Sequence, residues 1–381
     1  MYKIIRLKIG GFRRLKEIDL QVRPFMVLIG ANGVGKTSLL DALTLLSASA
    51  AGKLNSTLSQ LGGITSLLTR DKSDELSLHA NMSVPNHNPL KYELHLSPRG
   101  VGYSISKEIL FQERGQPLPF RHIDAADDDI RYHKVDAKRF VRPDWDHNPM
   151  ETSLSQVPPM YREPEELRRI LAMATQYHEL DVGLRAPVKL PQQMKPATLP
   201  GAEGEDLIPY LYYLREDDRN RYEAIEDTLR TAFSDFEKLN FPPVAAGMLA
   251  MTWEDKNFSK PFYMHELSEG TLRFLWLVSL LQSPALPTIT MIDEPEVSLH
   301  PELLSLLADL MREAAKRTQL VVATHSDRFI RFLRPEEVVV MDIDEEGCAQ
   351  ATWADSLDLD HWLADYSLDE VWSMGRMGGR A

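Results

Sequence analysis

Cysteine is nearly absent from this chain, and Cys348 is the only one. No internal disulfide can form, and a single thiol builds no metal cluster. Cys348 reads as an inert residue near a strand end, and the chain reads as cytoplasmic. Long apolar runs are also missing. The longest stretch, around 274–281, is far too short to span a bilayer, so no membrane partner is expected. The first residues set Lys3, Arg6 and Lys8 among Ile4, Ile5, Leu7 and Ile9, which reads as a strand and not as a targeting segment. Heptads are not sustained anywhere, which excludes a long coiled-coil arm, and there is no internal repeat. Basic residues are outnumbered, 43 Lys and Arg against 56 Asp and Glu. The resulting charge of -13 argues against a protein that coats nucleic acid over its whole surface. A local basic groove stays compatible with it. The eleven histidines show no metal-ligand spacing.

What is present is a large apolar content, 43% of 381 residues, enough for one large core or two modest ones. Residues 2–9 and 18–22 read as strands around the turn Gly10-Gly11. Phe25-Met26-Val27-Leu28-Ile29 is a continuous apolar run, as in a strand buried on both faces. Residues 38–51 read as a helix ending near Gly52, and 75–113 alternate in period two, as in an antiparallel meander. From 115 to 201 prolines recur, and the segment reads as irregular structure around one helix, 165–177. Residues 206–236 read as one or two helices broken near Asp217-Asp218. The last third alternates strand and helix: strands at 288–292, 320–324 and 338–342, and a helix at 301–316 opened by Pro301. That order predicts a largely parallel sheet covered by helices on both faces.

Four segments carry chemistry. Gly30-Ala31-Asn32-Gly33-Val34-Gly35-Lys36-Thr37 lies between a predicted strand and a predicted helix, the context of a phosphate-binding P-loop. Its glycines let successive backbone N–H groups curl toward one phosphate chain, and the helix N-terminus favours an anion. Lys36 is expected on the β- and γ-phosphates and Thr37 on Mg²⁺. The second segment, Ile289-Thr290-Met291-Ile292-Asp293-Glu294, delivers two carboxylates at a strand end. Asp293 would sit in the Mg²⁺ shell, and Glu294 would orient or deprotonate the attacking water. In Leu267-Ser268-Glu269-Gly270-Thr271, just before an apolar helix, Ser268 and Gly270 offer a hydroxyl and bare N–H groups at a helix start. Alone, Ser268 would read as an ordinary N-cap. In Val321-Val322-Ala323-Thr324-His325-Ser326, His325 stands where a γ-phosphate sensor would be expected.

In this order the four segments resemble the ABC-type ATPase heads of the SMC, RecF and OLD group. They are most similar to its compact branch of AAA-type predicted ATPases. That branch pairs a shortened signature with the string Ile292-Asp293-Glu294-Pro295-Glu296-Val297-Ser298-Leu299-His300-Pro301 and a Thr324-His325-Ser326 switch. Trp362-Leu363-Ala364-Asp365-Tyr366-Ser367-Leu368 and the Gly-rich end are similar too; the resemblance covers most of the chain and is weak over 115–201. The resemblance implies an α/β fold: an ABC/SMC-type P-loop NTPase head with an N-terminal antiparallel β portion and an inserted, mainly helical and irregular subdomain. The expected divisions are 1–115 (first ATPase lobe), 116–240 (insert) and 241–381 (second ATPase lobe). It also implies a sandwich, in which the signature of one protomer, Ser268 and Gly270, covers the γ-phosphate of ATP held by another. Residues 295–300 would line the seam. The signature departs from Leu-Ser-Gly-Gly-Gln, and the metal-coordinating glutamine of ABC proteins is assigned to Gln60, before Gly62-Gly63. The nucleotide-binding set is thus Gly30, Asn32, Gly33, Gly35, Lys36, Thr37, Ser38, Ser268 and Gly270. The catalytic set is Glu294, His325 and Lys36, and the metal set is Thr37, Asp293 and Gln60.

Two weaker features complete the reading. Lys134, Lys138, Arg139, Phe140, Arg142 and Trp145 mix basic and aromatic residues, as in a nucleic-acid patch or a solvated loop. Asp342-Ile343-Asp344 is similar to the acidic pair of a TOPRIM nuclease, but too little chain follows for such a domain, and it reads as a strand end before the Glu345-Glu346-Gly347 turn. The expected function is Mg²⁺-dependent ATP binding and hydrolysis in a head-to-head homodimer or larger assembly. That assembly would switch a separately encoded effector, such as a nuclease or toxin, in bacterial phage defence. A RecF-like DNA-binding repair ATPase is the second reading, and a transporter's nucleotide-binding subunit the third.

Overall fold

A computed structural model describes residues 2–126, 129–134, 139–143 and 145–378. Two sheets organise the described residues. The first has eight strands, in the order Leu15–Gln21, Lys3–Phe12, Leu76–Val84, His87–Arg99, Gly102–Gln112, Phe120–Ala126, Asp129–Lys134 and Arg139–Val141, and every pairing is antiparallel. Its strands alternate buried and half-buried positions, as in Leu76–Val84, because one face packs inward and the other is partly open to solvent.

The second sheet has six strands, in the order Thr175–Tyr177, Ile289–Asp293, Gln319–Ala323, Phe25–Ile29, Val338–Ile343 and Ala349–Trp353. The first five run parallel and the last is antiparallel. Phe25–Ile29 is buried at every residue, which explains its unbroken apolar run. Its side chains nonetheless divide by parity. Phe25, Val27 and Ile29 join one core, and Met26 and Leu28 join the other.

The second core lies between the two sheets and is filled by the helix Lys36–Ala50. Eleven of that helix's residues are buried, so it is apolar nearly all round, as a helix enclosed by sheets must be. The first core is covered by the helices Leu207–Asp217, Arg219–Ala232, Glu269–Leu281 and Leu303–Ala314. The break between the first two falls at Asp218, whose side chain caps the next helix by accepting from Arg221 N–H. The pair Asp342 and Asp344 ends a strand and opens the turn at Gly347, where Asp344 Oδ1 accepts from Glu346 and Cys348 N–H.

The proline-rich middle departs from expectation. The strands Phe120–Ala126, Asp129–Lys134 and Arg139–Val141 extend the first sheet, where irregular structure was expected. The helix is Arg162–Ala172, and Thr175–Tyr177 is an edge strand of the other sheet. The helix Arg162–Ala172 packs on the helix Lys36–Ala50, and Ser47 Oγ donates to Ala174 O at 3.0 Å. Lys138 lies outside the described residues.

A buried carboxylate fastens this segment. Glu108 is fully buried; it accepts from Ser153 N–H at 2.6 Å, Leu154 N–H at 2.8 Å and Tyr92 O–H at 3.0 Å. Burial pushes its acidity weaker than an ordinary glutamate, and the backbone N–H groups of Leu154 and Ser153 oppose that shift. Glu108→Ala should take the partner from three buried donors and lower the unfolding free energy by about 2–5 kcal/mol, measured as a shift of the urea midpoint. An unchanged midpoint would show that the 153–154 turn is held by other contacts.

Candidate functional site

Parallel pairing brings three strand ends into one row. Asp293 pairs with Ala323, and Ala323 with Leu28. Beyond the strands, Glu294 N–H donates to Ala323 O at 2.8 Å and Thr324 N–H to Leu28 O at 3.0 Å. The loop 30–35 leaves the same edge. Gly30, Gly33 and Gly35 have φ of 149°, 79° and 113°. At Gly30 a Cβ would collide with the carbonyl oxygen of Met341, so this glycine is required by space as well as by conformation. Gly35 leads directly into the helix that starts at Lys36.

Lys36 is buried, and its ammonium donates to Gly30 O at 2.6 Å and Ala31 O at 3.0 Å. Burial weakens its hold on the proton, while the charges of Glu294, Asp293 and Glu296 strengthen it. Lys36 therefore already lies in the field of the acids at the neighbouring strand ends. Asn32, Gly33 and Thr37 are exposed beside it, and Ser38 is half-buried.

Asp293 is half-buried. Burial raises its pKa, joined by Glu294 and Asp41 and opposed by His178 and Lys36. Glu294 occupies the left-handed region with φ 50°, an uncommon conformation for a residue with a side chain. Its carboxylate meets His325 twice: Oε1 lies 2.7 Å from His325 Nδ1, and Oε2 accepts from His325 N–H at 3.3 Å. Lys36, Asp293, Glu294 and His325 thus converge. The curled loop, the exposed Thr37 and the acids at the strand end suit a phosphate chain and a hard cation held by oxygens.

Ser268 and Gly270 sit apart from this group. Ser268 caps the helix Glu269–Leu281, accepting from Thr271 N–H at 3.1 Å. Among the described residues it makes no hydrogen bond to the loop 30–38. Gly270 packs on the turn after Glu294 so closely that a Cβ would collide with Ser298 O. Gln60 is exposed at the end of the helix Leu54–Gln60 and, among the described residues, forms no hydrogen bond to Thr37 or Asp293.

The residue beside Asp293 that the sequence did not reveal is His178. Tyr177 pairs with Ile292, so the next residue, His178, stands across from Asp293, and its charge lowers the pKa of that acid. It lines a cleft with Glu179, Arg273, Asp293 and Glu294. The only signal was local: three residues of edge strand ending in His.

Arg131 and Arg142 are paired with acids of their own sheet: Arg131 with Asp124 and Asp129, and Arg142 with Asp129.

A family described as "AAA domain, putative AbiEii toxin, Type IV TA system" matches residues 25–331. Two curated relatives, both named DNA replication and repair protein RecF, come from Aliivibrio fischeri (strain MJ11) and Aliivibrio salmonicida (strain LFI1238). They are 36% identical over 21% of this chain and 35% identical over 30% of it. The matches span only 20% and 28% of those relatives. Two solved structures share the fold. An SMC head bound to the C-winged helix domain of ScpA has a TM-score of 0.57 at 14% identity, covering 92% of this chain and 97% of that one. An SMC head with an extended coiled coil, bound to the C-terminal domain of ScpA from Pyrococcus furiosus, has a TM-score of 0.55 at 12% identity, covering 99% of each.

Gly270→Ala should force the helix Glu269–Leu281 away from the turn at Ser298 and destabilise the protein by about 1–3 kcal/mol. Thermal melting of the purified chain checks this. A melting temperature equal to the parent's would mean that the turn yields freely.

Proposed function

The chain belongs to the family of AAA domains described as putative AbiEii toxin, Type IV TA system, and from that premise we propose that it binds and hydrolyses ATP at a site completed by a second copy of itself. The family and the fold are those of SMC/RecF-type ATPases, here without a coiled-coil arm. One observation carries the residue assignment: Lys36, with its ammonium on the loop carbonyls, lies in the field of Asp293 and Glu294, and Glu294 touches His325.

In this reading the N–H groups of the loop 30–37 and the ammonium of Lys36 bind the phosphates. Ser38 follows at the start of the helix. Thr37 and Asp293 would hold Mg²⁺, which neutralises phosphate charge, and His178 replaces Gln60 as the neighbour of that shell. Glu294 takes the proton of the attacking water, and His325 fixes its carboxylate. Ser268 and Gly270, at the start of the helix Glu269–Leu281, reach the γ-phosphate of the partner copy.

The biological proposal is a nucleotide-dependent switch for a separately encoded effector in phage defence, acting in the cytoplasm. The family description, which names a toxin–antitoxin system, supports it. So do the SMC heads of the same fold, which are bound to domains of ScpA. A DNA-binding role is the second reading, supported by the names of the RecF relatives. The pairing of Arg131 and Arg142 with acids weighs against it. Among the described residues no helix is long and apolar enough to cross a membrane.

Glu294→Gln keeps the shape and removes the base. Turnover should fall by about 10²–10⁴ while ATP binding survives. Light scattering with ATP and Mg²⁺ should then show at least twice the monomer mass. Parent-like hydrolysis would remove Glu294 from the role of base, and a persistent monomer would exclude the head-to-head site. Shared sites have a second signature. Lys36→Ala should lose ATP binding, and Ser268→Arg should bind ATP without turning it over. A mixture of the two should regain part of the activity, because one site in the mixed dimer has both halves intact. No recovery from mixed dimers isolated with two affinity tags would count against the shared site.

A further inference from the structure

Two residues beyond Glu294, the same turn carries a second acid with no role in the reading above. Glu296 is only 8% exposed. Its Oε1 accepts from the hydroxyl of Thr324, which is itself fully buried. That hydroxyl has no freedom left: its proton goes to Glu296, and its oxygen accepts from Ser326 N–H at 3.0 Å. The other oxygen of Glu296, Oε2, is buried and has no hydrogen-bond partner.

The surroundings of Glu296 are crowded with charge. Ligand atoms of Glu294, Glu296 and His325 all lie within 4.8 Å of one another. Lys36 approaches from the helix Lys36–Ala50, and Asp293 ends the strand that leads into the turn. Two ionised carboxylates at this separation repel strongly in a buried site. A proton on one of them converts repulsion into a short, charge-assisted hydrogen bond. The proton belongs on Glu296, the more buried of the two, whose Oε1 is already satisfied and whose Oε2 lacks a partner.

We propose that Glu296 is a positioning residue: a neutral carboxylic acid, oriented by Thr324, that donates its proton to Glu294 and so aims the Glu294 carboxylate at the attacking water. The inference rests on the reading of Glu294 as the base. Glu294 needs such a holder because its backbone is in an unfavourable region and its other contact, His325, is exposed. Burial above all, opposed by the Thr324 hydroxyl and joined by the charge of Glu294, pushes the pKa of Glu296 up to about 8. The acid form is thus held at neutral pH and lost as the pH rises through that value.

The test is steady-state ATP hydrolysis by the full chain across a pH series from about 6 to about 10. Glu296→Ala should lower kcat by about 10²-fold at neutral pH with KM for ATP unchanged, the scale expected when a reacting group is misplaced by an ångström. Glu296→Gln should recover most of that loss, since a carboxamide can accept from Thr324 and still donate to Glu294. The parent's activity should decline as the pH rises through about 8, and Glu296→Gln should lack that limb. A Glu296→Gln protein as slow as Glu296→Ala would overturn the proposal, because a charged carboxylate, serving as base or as cation ligand, would then be required. An alkaline limb unchanged in Glu296→Gln would overturn it too. If Glu296→Ala does not fold, the pH profile of Glu296→Gln decides alone. Glu294→Gln run in the same assay keeps the two claims apart: a fast Glu294→Gln removes the base, whereas a slow one beside a slow Glu296→Gln removes only the protonated holder.

Discussion

The rest of the site depends on the parallel register of three strands. Phe25–Ile29, Gln319–Ala323 and Ile289–Asp293 end in one row, and the row is extended by Glu294 N–H on Ala323 O and Thr324 N–H on Leu28 O. A slip of one residue in any strand would turn every side chain to the opposite face. It would also exchange the two cores, because the odd and even residues of Phe25–Ile29 belong to different ones. Burial on both faces thus fixes the register, and the register fixes where Lys36, Glu294 and His325 emerge.

Around that row the chain accepts local cost. Glu294 and Ser298 have positive φ. Lys36, Asp293 and Glu296 hold charge or polarity in partly or largely buried places. Each would be unfavourable alone. Together they offset one another in part: the acids favour the lysine's charged form, and the lysine favours the aspartate's. The neighbouring helix Lys36–Ala50 is held between two sheets, which gives the strained loop a rigid base. Strain concentrated on a rigid support is what a site for orienting a charged ligand requires.

Much of this was legible because it is local. A glycine-rich loop between an apolar run and a helix needs no partner strand to be recognised, and neither do two acids at a strand end. The three-stranded meander at 76–112 and the break at Asp218 were equally plain, for alternation and capping are written in consecutive residues. The middle was not legible. Prolines suggested irregular chain, but Pro117, Pro119 and Pro143 lie outside the strands Phe120–Ala126, Asp129–Lys134 and Arg139–Val141. Thr175–Tyr177 is too short to show a period, and its partner Ile289–Asp293 lies more than a hundred residues away. His178 was missed for that reason.

The turn 294–300 links features that the sequence presents separately. Its first residue touches His325, its third is bonded to Thr324, and Ser298 lies against Gly270 at the start of the helix Glu269–Leu281. Gly270 has no side chain to cushion that contact, so the helix rests directly on the backbone of the turn. A displacement of this helix start by even a fraction of an ångström must be taken up in the turn, because packed backbone does not compress. The residues available to take it up are few: Pro295 is fixed in φ, Glu296 is tied to Thr324, and Glu294 is already in an uncommon conformation. Only Val297 separates Glu296 from the point of contact at Ser298. The carboxylates at the strand end and the helix carrying Ser268 therefore form one mechanical unit, although no hydrogen bond joins Ser268 to Glu294 among the described residues.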